Sequence, residues 1–221
     1  MGELNSKDLS EMVLRLAHGI RNPLATIKTG VQLVKHLSDP NEEVEEYLDS
    51  ALDGVDRIDL IIRDVQRYVK IAPIRPEKIS VSSIINEITL EMEPLLKKKE
   101  IALRSFSGES CSIFVDYKQM LLTIKELLNN AIEHSPQGST ISISWDKNKK
   151  RQVYIHVEDA CGGVKPETEQ KIMRPFFSTS RVGTGLGLNI VAKFLEVSGG
   201  NLNMSPKVNK GCRFTIMLPE V

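Results

Sequence analysis

The fold of this chain is decided by the stretch Leu16-Ala17-His18-Gly19-Ile20-Arg21-Asn22-Pro23-Leu24. It holds an ionisable side chain, His18, within a segment whose apolar residues recur at helical spacing. These apolar residues take the three-and-four steps of a heptad seam: Val13, Leu16, Ile20, Pro23, Ile27, Val34 and Leu37. Because successive helical residues turn by about 100°, His18 lies on the side of the helix away from this seam. We therefore expect His18 to face water or a partner.

Two poor helix formers flank this histidine, one turn apart. A proline inside a helix costs about 3 kcal/mol, and Pro23 removes the hydrogen bond to the carbonyl of Gly19, itself a weak helix former. We therefore expect the helix to be loosened or kinked beside His18. Residues that disfavour the local secondary structure are typical of functional sites. The ordinary alternative for a lone histidine is a solvated surface residue or a core residue whose hydrogen bonds are satisfied.

The same stretch resembles the phosphoacceptor box of sensor histidine kinases, which reads His, an acidic residue, an aliphatic residue, a basic residue, Asn, Pro, Leu. In this chain Gly19 replaces the acidic neighbour. The resemblance implies that His18 accepts a phosphoryl group and that Asn22 positions a water against the phosphoaspartate of a partner. Asn22 lies one turn from His18 on the same face, where its amide could act on a group bound beside the histidine. The alternative is that Asn22 caps the carbonyl that Pro23 leaves free.

The composition is that of a globular chain long enough for one large or two small domains, with 221 residues, 41% of them hydrophobic. Lys plus Arg equals Asp plus Glu at 29 each, so no overall positive charge exists to attract nucleic acid. No apolar run approaches the roughly 18 residues that span a bilayer, so we expect a cytoplasmic protein. The cysteines are scattered and are expected to be free thiols: Cys111, Cys161 and Cys212.

The first third of the chain predicts two long helices joined by a short turn. The first is expected from about Lys7 to Leu37, and the second begins where Asp39 would cap it and Pro40 would take the first helical position. The second helix carries its own seam: Val44, Leu48, Ala51, Val55, Ile58, Ile62, Val65 and Val69. Further apolar residues flank both seams: Leu24, Val31, Leu33, Leu52, Leu60 and Ile61.

An antiparallel helical hairpin encloses little core by itself, and the flanking apolar residues widen its apolar stripe. We therefore expect residues 1–71 to be a dimerisation and phosphoacceptor hairpin that forms a four-helix bundle in a homodimer. The alternative is that the hairpin packs only against the downstream domain. Residues 72–76 read as a linker, since two prolines in this short stretch exclude regular structure.

Residues 77–221 predict an α/β sandwich with a mixed sheet. The expected strands lie near 78–81, 101–106, 112–115, 140–145, 153–157, 202–205 and 213–218. The expected helices end near 99, run from a cap at Asp116 to His134, and run near 186–198.

Polar residues crowd one side of the helix that starts after Asp116, beside its apolar stripe: Glu126, Asn130, Glu133 and His134. From this helix alone, a solvated face is the favoured explanation. The functional interpretation is that Asn130 offers an amide oxygen to Mg²⁺, which prefers oxygen ligands and shares its coordination shell with nucleotide phosphates.

Two glycine-containing stretches follow. After Asp159, at the end of a predicted strand, Gly162 and Gly163 permit positive φ, and the Asp159 carboxylate could accept from a base amine or belong to an ordinary turn. The stretch Gly183-Thr184-Gly185-Leu186-Gly187-Leu188 opens a helix, where backbone N–H groups can close on a phosphate. A glycine pattern alone is a weak signal.

Taken together and in order, these stretches resemble the N, G1, F and G2 boxes of the histidine-kinase ATPase domain: residues 126–131, Asp159 with Gly163, 175–177, and 183–188. The resemblance implies a Bergerat-type sandwich that binds ATP, with Mg²⁺ on Asn130 and the adenine amine on Asp159. It also implies nucleotide contacts from a further set: His134, Gly163, Thr179, Arg181, Gly183, Thr184, Gly185, Leu186, Gly187 and Leu188. Glu126 stands where the family often has Asn and could order a water near Mg²⁺, so we count it among the catalytic residues.

The resemblance covers essentially the whole chain and implies ATP-dependent autophosphorylation on His18, then phosphotransfer to an aspartate of a response regulator, with phosphatase activity toward that partner as an additional role. Two alternatives stay open: an ATPase or serine kinase of the same superfamily, and a dimeric signalling adaptor whose ATP domain has lapsed. No sensor region is recognisable, so we expect the input to come from an upstream region, membrane-bound or not, or from another protein.

Overall fold

A computed structural model of the chain describes residues 6–37, 41–69, 74–106, 108–180, 183–207 and 211–221. The side chains of residues 6–12, 14–16, 18, 37, 166 and 207 lie outside this description. The helices are α1 (Ser6–Leu37), α2 (Glu42–Val69), α3 (Val81–Lys98), α4 (Tyr117–His134), α5 (Pro166–Glu169) and α6 (Gly187–Val197). The strands are β1 (Pro76–Ser80), β2 (Ala102–Phe106), β3 (Ser112–Asp116), β4 (Thr140–Lys147), β5 (Gln152–Glu158), β6 (Asn201–Lys207) and β7 (Gly211–Pro219).

The predicted helical hairpin is confirmed by ion pairs that join α1 to α2. Arg21 contacts Asp59 at 3.0 Å, and the further pairs along the hairpin are Lys28–Asp56 at 2.5 Å and Lys35–Asp49 at 2.6 Å. Since the partner number falls as the α1 number rises, the two helices run antiparallel. None of the helices in the described part of the chain has the length and apolar composition needed to cross a membrane.

The core of the hairpin corrects the predicted seam. A buried cluster consists of Ala17, Leu24, Val55 and Ile62. Three of the predicted seam residues of α1 are instead exposed in the single chain: Ile20 is 46%, Ile27 52% and Val34 50% exposed. The buried and exposed rows of α1 share one heptad period and lie three residues apart, so periodicity alone does not tell which row faces α2.

The start of α2 also differs from the prediction. The helix begins at Glu42, and the Asn41 side-chain oxygen accepts the backbone N–H of Val44 at 2.9 Å. Asn41 is therefore the N-cap, and the predicted cap Asp39 and Pro40 lie outside the described residues. Pro23 lies inside α1, which continues to Leu37.

The predicted mixed sheet is confirmed, with strand order β2-β4-β5-β7-β6. β2 pairs with β4 in parallel, and the other neighbours are antiparallel. β1 and β3 form a separate two-stranded sheet that begins at Pro76, the last residue of the predicted linker. A proline is tolerated at the first residue of a strand, so Pro76 belongs to the sheet rather than to the linker. Ala72 and Pro73 lie outside the described residues.

The helix α4 connects the core to the site. Its apolar stripe is buried as predicted: Met120, Ile124, Leu127, Leu128, Ala131 and Ile132. Its N-cap, Asp116, accepts the backbone N–H of Gln119 at 3.0 Å and that of Arg75 at 2.8 Å. Burial by itself would raise the pKa of Asp116, but backbone N–H donors outweigh it and lower that pKa below its ordinary value. The cap holds α4 and the start of β1 together.

Candidate active site

A cavity of about 480 Å³ lies between α4, the glycine-containing loop and α2. From α4 it is lined by Glu126, Asn129, Asn130, Glu133 and His134. From the loop region it is lined by Ile172, Phe177, Ser178, Thr179, Gly183, Thr184, Gly185, Gly187 and Leu188. From α2 it is lined by Leu60, Asp64 and Arg67.

Many of the predicted site residues therefore meet around one cavity. They are Glu126, Asn130, His134, Thr179, Gly183, Thr184, Gly185, Gly187 and Leu188. The wall supplied by α2 was missed by the sequence analysis. Asp64 and Arg67 are ordinary charged residues of an amphipathic helix, and no local pattern distinguishes them from their neighbours.

The glycine loop closes tightly on the phenylalanine stretch before it. Gly185 has a φ of +70°, and an added Cβ would lie 2.5 Å from the carbonyl carbon of Phe176. The carbonyl of Gly185 accepts the N–H of Phe176 at 3.0 Å. At Gly187, an added Cβ would lie 3.1 Å from Oε2 of Glu126. These glycines let the loop approach both Phe176 and α4, and they leave backbone around the cavity unobstructed by side chains.

The donors on α4 fit a nucleotide that carries Mg²⁺. Asn130 is partly buried and offers an amide oxygen, with the carboxylates of Glu126 and Glu133 on the same helix face. Ser180 Oγ donates to Glu133. Among the described side chains, no group of three His, Cys, Asp or Glu is placed to hold a metal ion. Mg²⁺ that shares oxygen ligands between Asn130, water and phosphate suits this donor set.

Some predicted residues lie away from the lining of this cavity. Asp159 follows β5, is 9% exposed, and its Oδ1 accepts the backbone N–H groups of Cys161 at 3.0 Å and Cys212 at 2.8 Å. Gly163 has a φ of +105°. Leu186 is fully buried, and its N–H donates to Thr184 Oγ1 at 3.3 Å. The glycine loop and α4 thus line the cavity, whereas Asp159 and Gly163 lie in a neighbouring part of the domain.

The cysteines are free, as predicted. Burial is the main cause that raises the pKa of Cys161 to about 11 and that of Cys212 to about 12, and the nearby carboxylate of Asp159 adds to both. Thiols with such pKa values stay protonated at neutral pH and are poor nucleophiles.

The histidine of the opening stretch lies in α1, next to the part of α2 that lines the cavity. Arg21, one turn after His18, donates to both Asp59 and Gln66 of α2 at 3.0 Å. With the helices antiparallel, the turn of α1 that carries His18 lies at the level of the α2 turn that carries Asp64 and Arg67. The side chain of His18 and the whole of Arg181 are outside the described residues.

Asn22 is exposed on α1. Its backbone carbonyl accepts the Thr26 hydroxyl at 3.3 Å, whereas its side chain makes no hydrogen bond with the described residues. No bond within the described part of the chain therefore supports the alternative that Asn22 caps the carbonyl left free by Pro23.

Comparison with known proteins matches both parts of the chain. A family model described as HisKA, the His Kinase A (phospho-acceptor) domain, matches residues 8–73. A second, HATPase_c, described as the Histidine kinase-, DNA gyrase B-, and HSP90-like ATPase, matches residues 115–221.

The similar full-length proteins are kinases. Sporulation kinase C of Bacillus subtilis (strain 168) is 29% identical over 212 residues, 95% of this chain and 49% of that protein. Sensor histidine kinase ZraS of Salmonella typhimurium is 28% identical over 214 residues, 96% of this chain and 46% of that protein. This chain spans about half the length of these relatives.

Solved structures have the same arrangement. Histidine kinase ThkA in complex with the response regulator protein TrrA gives a TM-score of 0.72 at 26% identity, covering 96% of this chain and 61% of that one. Full-length ShkA in complex with AMPPNP gives a TM-score of 0.79 over 96% of this chain and 46% of that one, and at 19% identity it shows the fold alone.

Fold and site define a two-part signalling protein, with a phosphoacceptor-type helical hairpin followed by an ATPase-type α/β domain. The chain belongs to the sensor histidine kinases.

Proposed function

We propose that this chain is the catalytic core of a protein-histidine kinase, which transfers the γ-phosphoryl group of ATP to His18 and from there to an aspartate of a response regulator. One observation carries the proposal: the cavity between α4 and the glycine loop opens against α2, at the level of the α1 turn that carries His18. Because ATP is the phosphoryl donor, the reaction would take place in the cytoplasm.

In the first step, a neutral imidazole nitrogen of His18 attacks the γ-phosphorus. The nitrogen–phosphorus bond forms, the bond from phosphorus to the bridging oxygen breaks, ADP leaves, and the ring gives up its N–H proton to solvent. Phosphoryl transfer depends mainly on positioning and on neutralising charge. Mg²⁺, when bound with the nucleotide, supplies that neutralisation, and Asn130 would hold it through its amide oxygen.

The other predicted residues keep distinct roles in this proposal. Thr184 and the backbone of the glycine loop would contact the phosphates, with His134, Thr179 and Arg181 beside them. Asp159 would accept the adenine amine, with Gly163 allowing close approach of the base. Glu126 would order a water near the metal.

The proposal includes the partner of the second step. ThkA was solved with a response regulator, and for this chain a receiver domain would dock on the bundle close to His18. Exposed Asn22 would then position a water for hydrolysis of the phosphoaspartate.

A homodimer is also part of the proposal. The exposed row on α1, Ile20, Ile27 and Val34, is accompanied on α2 by Val44, Ile58 and Ile61. A second copy of the hairpin would cover this apolar surface and complete a four-helix bundle.

Incubation with Mg²⁺ and [γ-³²P]ATP tests the kinase activity. We expect label on His18 that is stable to base and lost in acid, because phosphohistidine is acid-labile. His18→Gln should remove the label while nucleotide binding persists, and Asn130→Asp should remove both label and binding while the hairpin stays folded. Acid-stable label would indicate a serine kinase, and bound ATP without any label would indicate a lapsed adaptor.

A further inference from the structure

Four side chains form a continuous chain of hydrogen bonds between the two parts of the molecule. Thr184 Oγ1 donates to Asp64 Oδ2 at 2.6 Å. Arg67 Nη1 donates to Glu126 Oε1 at 2.9 Å and approaches Asp64 Oδ1 at 3.4 Å. We call Asp64, Arg67, Glu126 and Thr184 the clasp.

The clasp crosses the nucleotide cavity, because all four of its residues line that cavity. Arg67 joins α2 to α4, and Asp64 joins α2 to the glycine loop, so the hairpin is bonded to both walls of the site. The contacts are sheltered, with side-chain exposures of 11% for Asp64, 34% for Arg67 and 29% for Glu126. Sheltered charge-assisted hydrogen bonds are stronger than exposed surface pairs.

A second contact holds the two parts together outside the cavity. Lys193 on α6 donates to the carbonyl of Tyr68 at 2.7 Å, and its nitrogen lies 5.2 Å from the centre of the Tyr68 ring. The Tyr68 carbonyl belongs to the last turn of α2, whose carbonyls have no partner within the helix. Lys193 is not part of the cavity lining, so it reports on docking without changing the charge of the site.

The clasp and a nucleotide compete for the same groups. Asp64 holds the hydroxyl of Thr184, which a phosphate oxygen would otherwise take, and its negative charge repels a polyphosphate. The carboxylates in the described lining are Asp64, Glu126 and Glu133, and the one Lys or Arg side chain among the described lining residues is Arg67, which two of these carboxylates already engage. Bound phosphates would need the clasp to open.

We propose that Asp64 and Arg67 are positioning residues that lower the ATP affinity of the neighbouring domain by holding its glycine loop and Glu126 in the docked arrangement. The proposal rests on the proposed function in one respect, namely that ATP binds in this cavity. ATP binding opens the clasp and releases the domain from α2. By linkage, any movement of α2 that breaks the clasp raises the ATP affinity by the same factor by which bound ATP weakens the clasp.

Titration of the full chain with Mg²⁺ and a fluorescent ATP analogue, read as anisotropy, tests the clasp. We expect Asp64→Ala to lower the Kd by about fivefold or more, since it frees Thr184 and removes one of the two carboxylates that engage Arg67. Lys193→Met should lower the Kd in the same direction although it leaves the cavity untouched. The matched controls are Asp53→Ala on the exposed side of α2 and Lys149→Met in the exposed β4–β5 turn, and both should bind like the wild type.

The two variants separate docking from simple charge repulsion. Tighter binding by Asp64→Ala with unchanged binding by Lys193→Met would overturn the docking proposal, because repulsion alone would explain it. Weaker binding by Asp64→Ala would overturn it too, since Asp64 would then support the nucleotide. If the wild type binds Mg-ATP and both variants bind it with the same Kd, the clasp proposal alone is overturned. If neither the wild type nor any variant binds Mg-ATP, the proposed function is overturned as well.

Discussion

Gly185 shows how one residue governs the shape of the site. Its φ of +70° is unfavourable for a residue with a Cβ, and an added Cβ would also lie 2.6 Å from the backbone nitrogen of Phe177. Because both contacts are with backbone, no side-chain rotation relieves them. We predict that Gly185→Ala displaces the loop and weakens Mg-ATP binding by on the order of tenfold or more, measured by the same anisotropy titration.

Gly138 is the matched control for this change. It has a φ of +77°, but an added Cβ would meet no atom within 4 Å. Gly138→Ala should therefore cost about 1 kcal/mol of stability and leave ATP affinity unchanged. Equal loss of affinity in both variants would show that general destabilisation, rather than closure of the loop, explains the effect.

Asn22 provides a second prediction at the scale of a residue. Its exposed side chain makes no hydrogen bond with the described residues, so its replacement should leave the hairpin intact. We predict that Asn22→Ala retains His18 labelling and phosphotransfer but loses most of the stimulated hydrolysis of a phosphorylated response regulator. The three activities are measured separately, and parallel loss of all three would point to a structural role.

At this scale, sequence analysis identifies residues whose neighbours are local. Glu126, Asn130 and His134 share one face of a helix, and helical spacing alone brings them together. Asp64 and Arg67 were not predicted, because their role depends on docking of α2 against residues far along the chain. Arg67 and Glu126 are 59 positions apart, and no local periodicity encodes such a contact.

Among the elements, α4 starts at a side-chain N-cap that also contacts a second element. Asp116 accepts backbone N–H groups from both Gln119 and Arg75, so its ionised form is favoured by folding. We predict that Asp116→Ala lowers the free energy of unfolding by about 1 kcal/mol near neutral pH, measured by urea denaturation. Asp116→Asn keeps an acceptor oxygen and should lose less.

The pH dependence of this loss follows from the lowered pKa of Asp116. A carboxyl group with a lowered folded-state pKa stabilises the fold fully above its ordinary value of 3.8, and this contribution is lost as pH falls through the folded-state pKa. The difference between wild type and Asp116→Ala should shrink in acid. A difference that grows with acidity would contradict the cap.

The elements were predicted well where capping and periodicity agree, as in α4 from its Asp116 cap to His134. In the hairpin, periodicity indicated two long helices and placed Val55 and Ile62 of α2 in the contact correctly, but on α1 it assigned the wrong row. Leu24 is buried and Ile27 is exposed, although both rows are apolar and share one period. If a second copy covers the exposed row, both rows of α1 are buried in the dimer. Hydrophobicity alone therefore does not show which row packs against α2.

For the whole molecule, the outer row on α1 makes the oligomeric state testable. We predict that the wild type scatters light as a particle of twice the chain mass of 24.7 kDa at micromolar concentration. Ile27→Asp should give the monomer mass, because an unpaired charge in an apolar interface costs on the order of several kcal/mol. Thr29→Asp, exposed and about 200° around the helix from Ile27, should remain dimeric. A wild type of 24.7 kDa would contradict the bundle.

The position of β7 inside the sheet affects the order in which the parts of the protein can fold during synthesis on the ribosome. β7 (Gly211–Pro219) lies between β5 and β6, and β6 has no other partner strand in this sheet. Since a nascent chain emerges from its amino end, α1 and α2 can pair while the sheet still lacks an interior strand. The nascent chain can thus complete the hairpin that bears His18 before it completes the domain that would hold ATP, and the edges of β5 and β6 that face β7 stay unpaired until β7 arrives.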